Sequence, residues 1–215
     1  MRSPVKPEHV VQAAFQLLDE VGLDGLSLRK VACNLGIRAP SLYWHFKNKQ
    51  ALIDALADAL IADVAVHIPA GQSWRVTLHQ LAGEFRAAFK AHRDGARVYA
   101  GTFLATDNVM RVADVTIEAL VSGGASVERA ATTAMDLIYY VLGFVIEEQS
   151  LQQQGGDLTD FPASFHERIR QRYPHCWSAL DVLQRTDMEE RFRSGIDLLI
   201  AGLEQRIRED APSPA

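Results

Sequence analysis

The sequence predicts an all-α protein with a small N-terminal domain of three helices and a larger C-terminal helical domain. Apolar residues recur at helical spacing along almost the whole chain, and the strict alternation typical of half-buried strands is absent. A break containing proline and glycine, at residues 69–73, separates the two parts. With 215 residues, 48% of them hydrophobic, the chain is long enough to bury a sizeable core.

The first three predicted helices form the N-terminal domain, residues 1–48. The first helix runs from about Pro7 to Gly22. The second is capped by Ser27 and ends at Gly36, where glycine supplies the left-handed residue that closes a helix. The third begins at Pro40, because proline is favoured in a first helical turn. Two short helices joined by a tight turn indicate a helix-turn-helix.

The third helix is predicted to expose aromatic side chains. At about 100° per residue, Leu42 and Phe46 share its inward face. The outward face and its flanks then carry Pro40, Ser41, Tyr43, Trp44 and His45. Such a surface either packs on another domain or enters a DNA groove, where it contacts base edges and phosphates. Basic residues on both sides of the helix favour DNA: Arg29, Lys30, Arg38, Lys47 and Lys49.

Charge is distributed unevenly along the chain. The net charge is −5, yet residues 1–50 carry seven Lys and Arg against four Asp and Glu, which leaves −8 on the remainder. A basic N-terminal domain on an acidic body concentrates the favourable field at one end of the molecule. This asymmetry is expected of a protein whose partner is double-stranded DNA.

A fourth helix, predicted over residues 49–68, connects the two domains, since about 20 residues at 1.5 Å rise span roughly 30 Å. Residues 69–215 form the predicted ligand-binding and dimerisation domain. Its helices are expected near residues 74–90, 96–104, 107–121, 126–149, 164–173 and 187–208. Residues 152–162 are polar and predict a mobile loop, and residues 209–215 a frayed tail.

Two of these helices are too apolar for a monomer. The helix from residue 126 is apolar on more than one side, and the last helix combines a broad apolar stripe with small residues. A twofold homodimer built as a four-helix bundle gives the second face a partner. The residues predicted to form it are Leu137, Val141, Val145, Phe192, Ile196, Leu199 and Leu203. A core helix enclosed within a monomer is the alternative.

Four stretches of the chain, residues 17–30, 40–52, 92–98 and 198–204, resemble the TetR family of bacterial transcriptional regulators, and its tetracycline-repressor-like members in particular. The resemblance implies a repressor released from a palindromic operator by a small-molecule effector; an activator is the alternative. The residues that match the family's DNA contacts are Arg29, Pro40, Ser41, Tyr43, Trp44, His45 and Lys49. Ala39 stands where tetracycline-repressor-like members carry a polar base-contacting residue, so the operator sequence should differ from theirs.

Bulky side chains in the second domain predict an effector pocket. The residues predicted to line it are Phe85, Phe89, Tyr99, Thr102, Phe103, Thr116, Ile117, Met135 and Tyr139. An apolar cavity with a few hydrogen-bonding groups is typical of small-molecule sites, and ordinary core packing is the alternative for each residue. Residues 92–98 are a predicted hinge, in which Asp94 is either a switching residue or only a helix cap.

The resemblance also implies a magnesium–tetracycline chelate held by histidine, asparagine and arginine. The matching positions here are Tyr99, Leu81 and Phe103, and a further histidine position falls near Ala65, with His67 close by. A phenol does not replace imidazole as a magnesium-site ligand, and phenylalanine cannot bind a polar substituent. We therefore expect an apolar or aromatic effector and neither metal nor cofactor; a metal–tetracycline effector is the alternative.

Other classes of protein are disfavoured. The HExxH and GxSxG motifs and Gly-rich phosphate loops are absent, so an enzyme is not expected, and a protein-binding scaffold is the remaining rival. The longest apolar run, residues 137–146, is far shorter than the ~20 residues of a membrane span, which predicts a cytoplasmic protein without membrane contact. Cys33 and Cys176 lack metal-ligand spacing and are expected to be free and buried.

Overall fold

The computed structural model describes residues 6–155, 161–185 and 187–210, and every regular element in these ranges is a helix, as predicted. The helices are α1 (Pro7–Gly25), α2 (Leu28–Asn34), α3 (Ala39–Leu42), α4 (Lys49–Leu60), α5 (Trp74–Lys90), α6 (Gly95–Tyr99), α7 (Asp107–Ser122), α8 (Val127–Gln153), α9 (Ala163–Arg172), α10 (Pro174–Ser178), α11 (Leu180–Gln184) and α12 (Met188–Asp210).

The head consists of α1, α2 and α3, packed on the connecting helix α4. Its core is filled by side chains without solvent exposure, among them Leu18, Val31, Leu42 and Leu52. Gly22, where the sequence predicted the end of the first helix, interrupts α1 with φ 71, in the left-handed region. Ser27 caps α2 by accepting a hydrogen bond from the backbone N–H of Lys30. These local signals place α3 on the surface.

The body is built around α8, which packs against α5, α7 and α12. Its core contains Leu81, Phe89, Leu120, Val141 and Ile196. Ser73, Thr106 and Ser126 begin α5, α7 and α8, because each side chain accepts a hydrogen bond from a backbone N–H of the first turn. The long helices of the body therefore start where the sequence predicts them to start.

A charged network lies inside the body. Arg86 of α5 donates hydrogen bonds to both carboxylate oxygens of Glu148 on α8, at 3.0 and 2.9 Å, and another to Glu189 of α12. Lys90 also pairs with Glu148, and the guanidinium of Arg86 lies 4.7 Å from the ring centre of Phe192. Burial favours a higher pKa for Glu148, but the two cations together hold this pKa below its ordinary value. The network ties three helices together.

Several predicted boundaries are wrong. The connecting helix ends at Leu60 rather than at residue 68, and the turn after it is bound by Arg111 of α7. The short helix α6 stops at Tyr99, and α10 and α11 are additional helices. Residues 156–160 of the predicted loop and 211–215 of the predicted tail lie outside the described residues. Cys33 and Cys176 are free, as predicted, but exposed rather than buried.

One helix in the described part of the chain, α8, is long and apolar enough to cross a membrane, by length and composition alone. The sequence prediction rested on uninterrupted apolar runs and did not identify it. Core helices of soluble proteins meet the same criterion, and α8 packs against three helices of the body.

The predicted dimer contacts lie inside one subunit. Six of the seven residues are buried and Leu199 is partly buried; the six are Leu137, Val141, Val145, Phe192, Ile196 and Leu203. For the six buried residues the assignment to an interface is wrong, because they pack within the subunit core, and for Leu199 it stays a prediction. The opposite face of these helices exposes Ala131, Met135, Tyr139, Leu198 and Gly202.

Candidate nucleic-acid interface and effector site

The α3 helix and the turn after it carry the exposed aromatic surface. Leu42 is fully buried and Phe46 nearly so, as the helical spacing predicted. Trp44 is 89% exposed and Tyr43 is 47% exposed. The remaining predicted residues of this surface are also exposed: Arg29, Pro40, Ser41 and His45. The helix itself has only four residues, so this surface is held in place by the burial of Leu42 and Phe46 more than by backbone hydrogen bonds of a long helix.

Two of the basic residues beside α3 bind the end of α1. The ammonium of Lys49 donates a hydrogen bond to the carbonyl oxygen of Leu23, at 2.9 Å, and that of Lys30 does so to Gly25, at 2.9 Å. These cations satisfy carbonyls at a helix C-terminus, where positive charge is favourable. Lys49, predicted to bind DNA phosphate, thus has a partner within the head.

The corner between α5 and α6, residues 92–97, joins the head to the body. His92 stacks on Phe15 of α1 with ring centres 4.1 Å apart and pairs with Asp19 at 2.9 Å. The backbone N–H of Arg93 donates to the same carboxylate. On its other side the corner is held by Gln149 of α8, whose amide donates to the carbonyl oxygen of His92 at 2.8 Å. The corner is therefore bound from both sides.

Asp94 lies at the centre of this corner, with a left-handed φ of 57 and 4% exposure. Its carboxylate accepts hydrogen bonds from the backbone N–H of Leu23, at 2.8 Å, and from Gln153 of α8, at 3.2 Å. Burial favours a higher pKa for Asp94, but Leu23, Gln153 and Arg97 together hold this pKa below its ordinary value. The carboxylate does not cap α6, so the helix-cap alternative is wrong.

The predicted effector residues divide between core and surface. Phe85, Phe89 and Tyr99 form a contiguous aromatic cluster, with ring centres 5.7 and 5.1 Å apart. The other inward members are Thr102, Thr116 and Ile117, which are buried or partly buried. Phe103, at 94% exposure, Met135 and Tyr139 face solvent, so their assignment to an enclosed pocket is wrong. Sequence spacing could not show which side of α8 faces inward.

A groove of about 580 Å³ lies elsewhere on the body, between the start of α8 and the second half of α12. Its walls combine apolar Leu198 and Leu199 with polar Thr132, Asp136 and Arg206. None of the predicted effector residues lines this groove. It adjoins the exposed face of α8 and α12 that carries Met135, Tyr139 and Leu198.

A metal site does not emerge from the geometry. Within the described ranges, no group of three or more His, Cys, Asp or Glu side chains could hold a metal ion. Burial, with a smaller contribution from Asp58, raises the pKa of Tyr99 above its ordinary value, so its phenol stays neutral. Leu81 is fully buried in the core.

A basic head that presents an aromatic helix, attached to a helical body through a two-sided corner, defines a helix-turn-helix transcriptional regulator. Comparison with known proteins makes the assignment specific. The chain belongs to the TetR family: the model of bacterial regulatory proteins of the tetR family matches residues 10–56, and that of the tetracyclin repressor-like C-terminal domain matches residues 69–207.

Individual relatives agree with this assignment. The class A tetracycline repressor protein of Escherichia coli transposon 1721 is 38% identical over 208 residues, covering 94% of this chain and 92% of the relative. The structure of apo ActR from Streptomyces coelicolor has a TM-score of 0.82 at 29% identity, covering 98% and 100% of the two chains. BioQ of Mycobacterium smegmatis, solved with its double-stranded DNA operator, has a TM-score of 0.69 at 27% identity, covering 94% and 99%.

Three features of these sites escaped sequence reasoning: the Asp94–Leu23 contact, the Arg86–Glu148 pair and the binding of α4 by α7. Each joins residues at least 47 positions apart. One signal was available, because Arg86 and Glu148 both lie at inward positions of apolar helices, where an unpaired charge would be costly.

Proposed function

We propose that the chain is a repressor that binds a palindromic operator as a homodimer and is released by an apolar or aromatic effector without a metal ion. It acts by binding and not by catalysis, on DNA in the cytoplasm. The observation that carries the proposal is the 89% exposure of Trp44, which lies beside half-exposed Tyr43 in the turn after α3, while Leu42 and Phe46 on the other side are buried. A large aromatic surface in a basic setting fits a DNA groove.

Each exposed group then has a role in the complex. Trp44 and Tyr43 supply apolar contact and phosphate hydrogen bonds, and His45 a bond to a phosphate or base edge. Ser41 and Pro40 lie at the start of the helix, where they approach the bases. Arg29 and Lys49 complete the set as cations that neutralise phosphates.

Binding to a selected duplex tests the proposal. From random-sequence DNA, the wild-type protein selects a duplex, and affinity is then measured against salt concentration. We expect a steep fall of log K with log salt. We expect Trp44→Ala to weaken specific binding by about 1–3 kcal/mol, the cost of a lost base contact. The matched control Trp177→Ala, which removes an exposed tryptophan from the body, should bind like wild type. Equal affinity of Trp44→Ala and wild type contradicts the proposal.

The proposed dimer forms through the outward face of α8 and α12. Met135, Tyr139 and Leu198 are exposed there at 47%, 58% and 73%, and the exposed small residues Ala131 and Gly202 allow close approach. Members of the family act as dimers. Two heads related by a twofold axis bind half-sites about 34–36 Å apart. Sedimentation equilibrium of Leu198→Glu, which places a charge on this face, is expected to give monomers.

The effector is proposed to bind beside the aromatic cluster of Phe85, Phe89 and Tyr99. Thr116 lies on the neighbouring helix α7, and partly buried Ile117 is next to it. Thr102 lies shortly after the end of α6. Rings and a few hydroxyls suit a flat apolar or aromatic ligand. The residues at the metal-binding positions of tetracycline-responsive relatives do not fit a magnesium chelate, because a neutral phenol and apolar side chains are poor ligands for magnesium.

Isothermal titration with tetracycline and Mg²⁺ tests the metal-free assignment. The class A repressor of transposon 1721 serves as the positive control, and this protein is expected to give no heat of binding at micromolar concentrations. Binding with a micromolar or lower Kd would contradict the proposal and support the metal–tetracycline alternative.

Coupling between effector and DNA is proposed to pass through the corner at residues 92–97. Gln153 and Gln149 of α8 hold one side of the corner, and Asp94 holds the Leu23 amide on the other. A ligand that favours a different position of α8 thereby changes the head position. Such coupling is typically worth about 1–3 kcal/mol.

A further inference from the structure

The connecting helix α4 ends in a turn that a single side chain of α7 holds. The guanidinium of Arg111 donates hydrogen bonds to the carbonyl oxygens of Ile61, Ala62 and Val64, at 3.2, 2.8 and 3.2 Å. Ile61 is the C-cap residue of α4, and Ala62 and Val64 lie in the turn that follows it. A further bond, from its Nη1 to the side-chain oxygen of Asn108 at 2.8 Å, orients the guanidinium.

The same turn is strained and is bound from a second side. Ala65 adopts φ 59, a left-handed conformation that residues other than glycine rarely occupy. Its backbone N–H donates to the carboxylate of Glu84 on α5, at 2.8 Å, and the side chains of Ile61, Val64 and Ala65 are buried. Such strain persists only where the surroundings hold the backbone in place. The turn therefore has a defined geometry.

The first turn of α7 makes two more contacts with α4. The hydroxyl of Thr106 donates to the carboxylate of Asp58, and the amide of Asn108 donates to the carbonyl oxygen of Asp58 at 3.4 Å. Thus α7 binds the C-terminal end of α4 through three side chains, whereas the N-terminal end of α4, at Lys49, belongs to the head. Because α4 also packs along α6, its direction is set by α6 together with these α7 contacts at its C-terminal end.

We propose that Arg111 is a positioning residue for DNA binding: by binding the turn after α4 it holds the C-terminal end of the connecting helix on α7 and thereby contributes to the separation of the two recognition helices in the dimer. This inference rests on the proposed dimeric regulator. It extends that function because Thr116 and Ile117, next to the proposed effector site, are on α7 as well. If the effector displaces α7, Arg111 moves with it, and so does the C-terminal end of the connecting helix.

Electron–electron distance measurements on spin-labelled dimers test the proposal without DNA. Cys33 is exposed on α2 and accepts a label once Cys176 is replaced by serine. We expect one narrow distance peak in this background and the loss of that peak, in favour of a broad distribution, in Arg111→Ala. Arg111→Lys keeps the charge but cannot bind three carbonyls at once, so an intermediate width is expected. The matched control Arg75→Ala removes an exposed pair with Glu204 and should keep the narrow peak.

Circular dichroism establishes that each labelled variant is folded at the temperature of the measurement. Should Arg111→Ala fail to fold, Arg111→Lys carries the test. If folded Arg111→Ala, or Arg111→Lys in its place, keeps a narrow peak at the wild-type distance, the positioning role is overturned. Absence of any dipolar coupling in the Cys33-labelled background overturns the proposed dimer itself, and so is distinguishable from failure of the positioning role.

Discussion

The head and the body place their important side chains in opposite ways. In the head, the groups proposed to face DNA lie on one short helix and its flanks, and they point away from a core made by neighbouring residues. In the body, charged side chains of three helices meet at Arg86 of α5, whose guanidinium binds buried Glu148 of α8 and exposed Glu189 of α12. Substitutions on the head surface should therefore change binding without changing stability, whereas substitutions at the charged core of the body should change stability first.

The largest expected effect is at the buried pair of the body. Arg86→Ala leaves the carboxylate of Glu148 buried with one cation fewer, which should lower the free energy of unfolding by about 3–5 kcal/mol. The matched control Arg75→Ala, on the same helix but in an exposed pair, should cost about 0–1 kcal/mol. Urea unfolding measures both. Equal costs for the two variants would mean that the network contributes no more than a surface ion pair.

Within the head, Leu42 of α3 and Trp44 in the turn after it should separate stability from binding. Leu42→Ala removes a fully buried side chain and should cost about 2–5 kcal/mol in thermal or urea unfolding. Trp44→Ala, two residues away and exposed, should change stability by about 0.5 kcal/mol or less. A large destabilisation by Trp44→Ala would show that the aromatic surface supports the fold.

The free energy of unfolding should depend on pH through Asp94 at the corner and Glu148 in the body. The pKa values of Asp94 and Glu148 are lowered in the folded protein, so their stabilisation is complete above the ordinary carboxyl pKa and is lost as the pH falls through the folded values. Asp94→Asn should cost about 2 kcal/mol at neutral pH, where it loses hydrogen bonds to a charged group. Unfolding followed from pH 7 to 3 should therefore be less pH-dependent in this variant than in wild type. An unchanged profile would assign the acid response to other carboxylates.

The smallest expected effect concerns the charge of Lys49, at the edge of the proposed DNA-binding surface. Lys49→Ala should weaken binding to all duplexes alike and reduce the salt slope by about 1. Ser41→Ala should instead change the preference among sequences. Competition between the selected duplex and random DNA measures the difference. Equal losses on both kinds of DNA for both variants would remove this division of roles.

The sequence was sufficient for the head and insufficient for much of the body. Leu42 and Phe46 are inward and Trp44 outward because helical periodicity acts over a few residues and the core beside it is local. On α8 both faces are apolar, so periodicity could not distinguish the subunit core, which contains Leu137, from the outer face, which contains Tyr139. That choice depends on contacts with distant helices.

Leu23 links the body to a residue proposed to bind DNA, since its N–H is bound by Asp94 and its carbonyl oxygen by Lys49. An ammonium group has three N–H donors, so Lys49 can bind a phosphate while it still binds this carbonyl oxygen. The proposed operator contact and the body thus meet at one residue of the head. By thermodynamic reciprocity, if an effector-bound body favours one conformation of Leu23 and thereby changes DNA affinity, DNA binding changes effector affinity by the same factor.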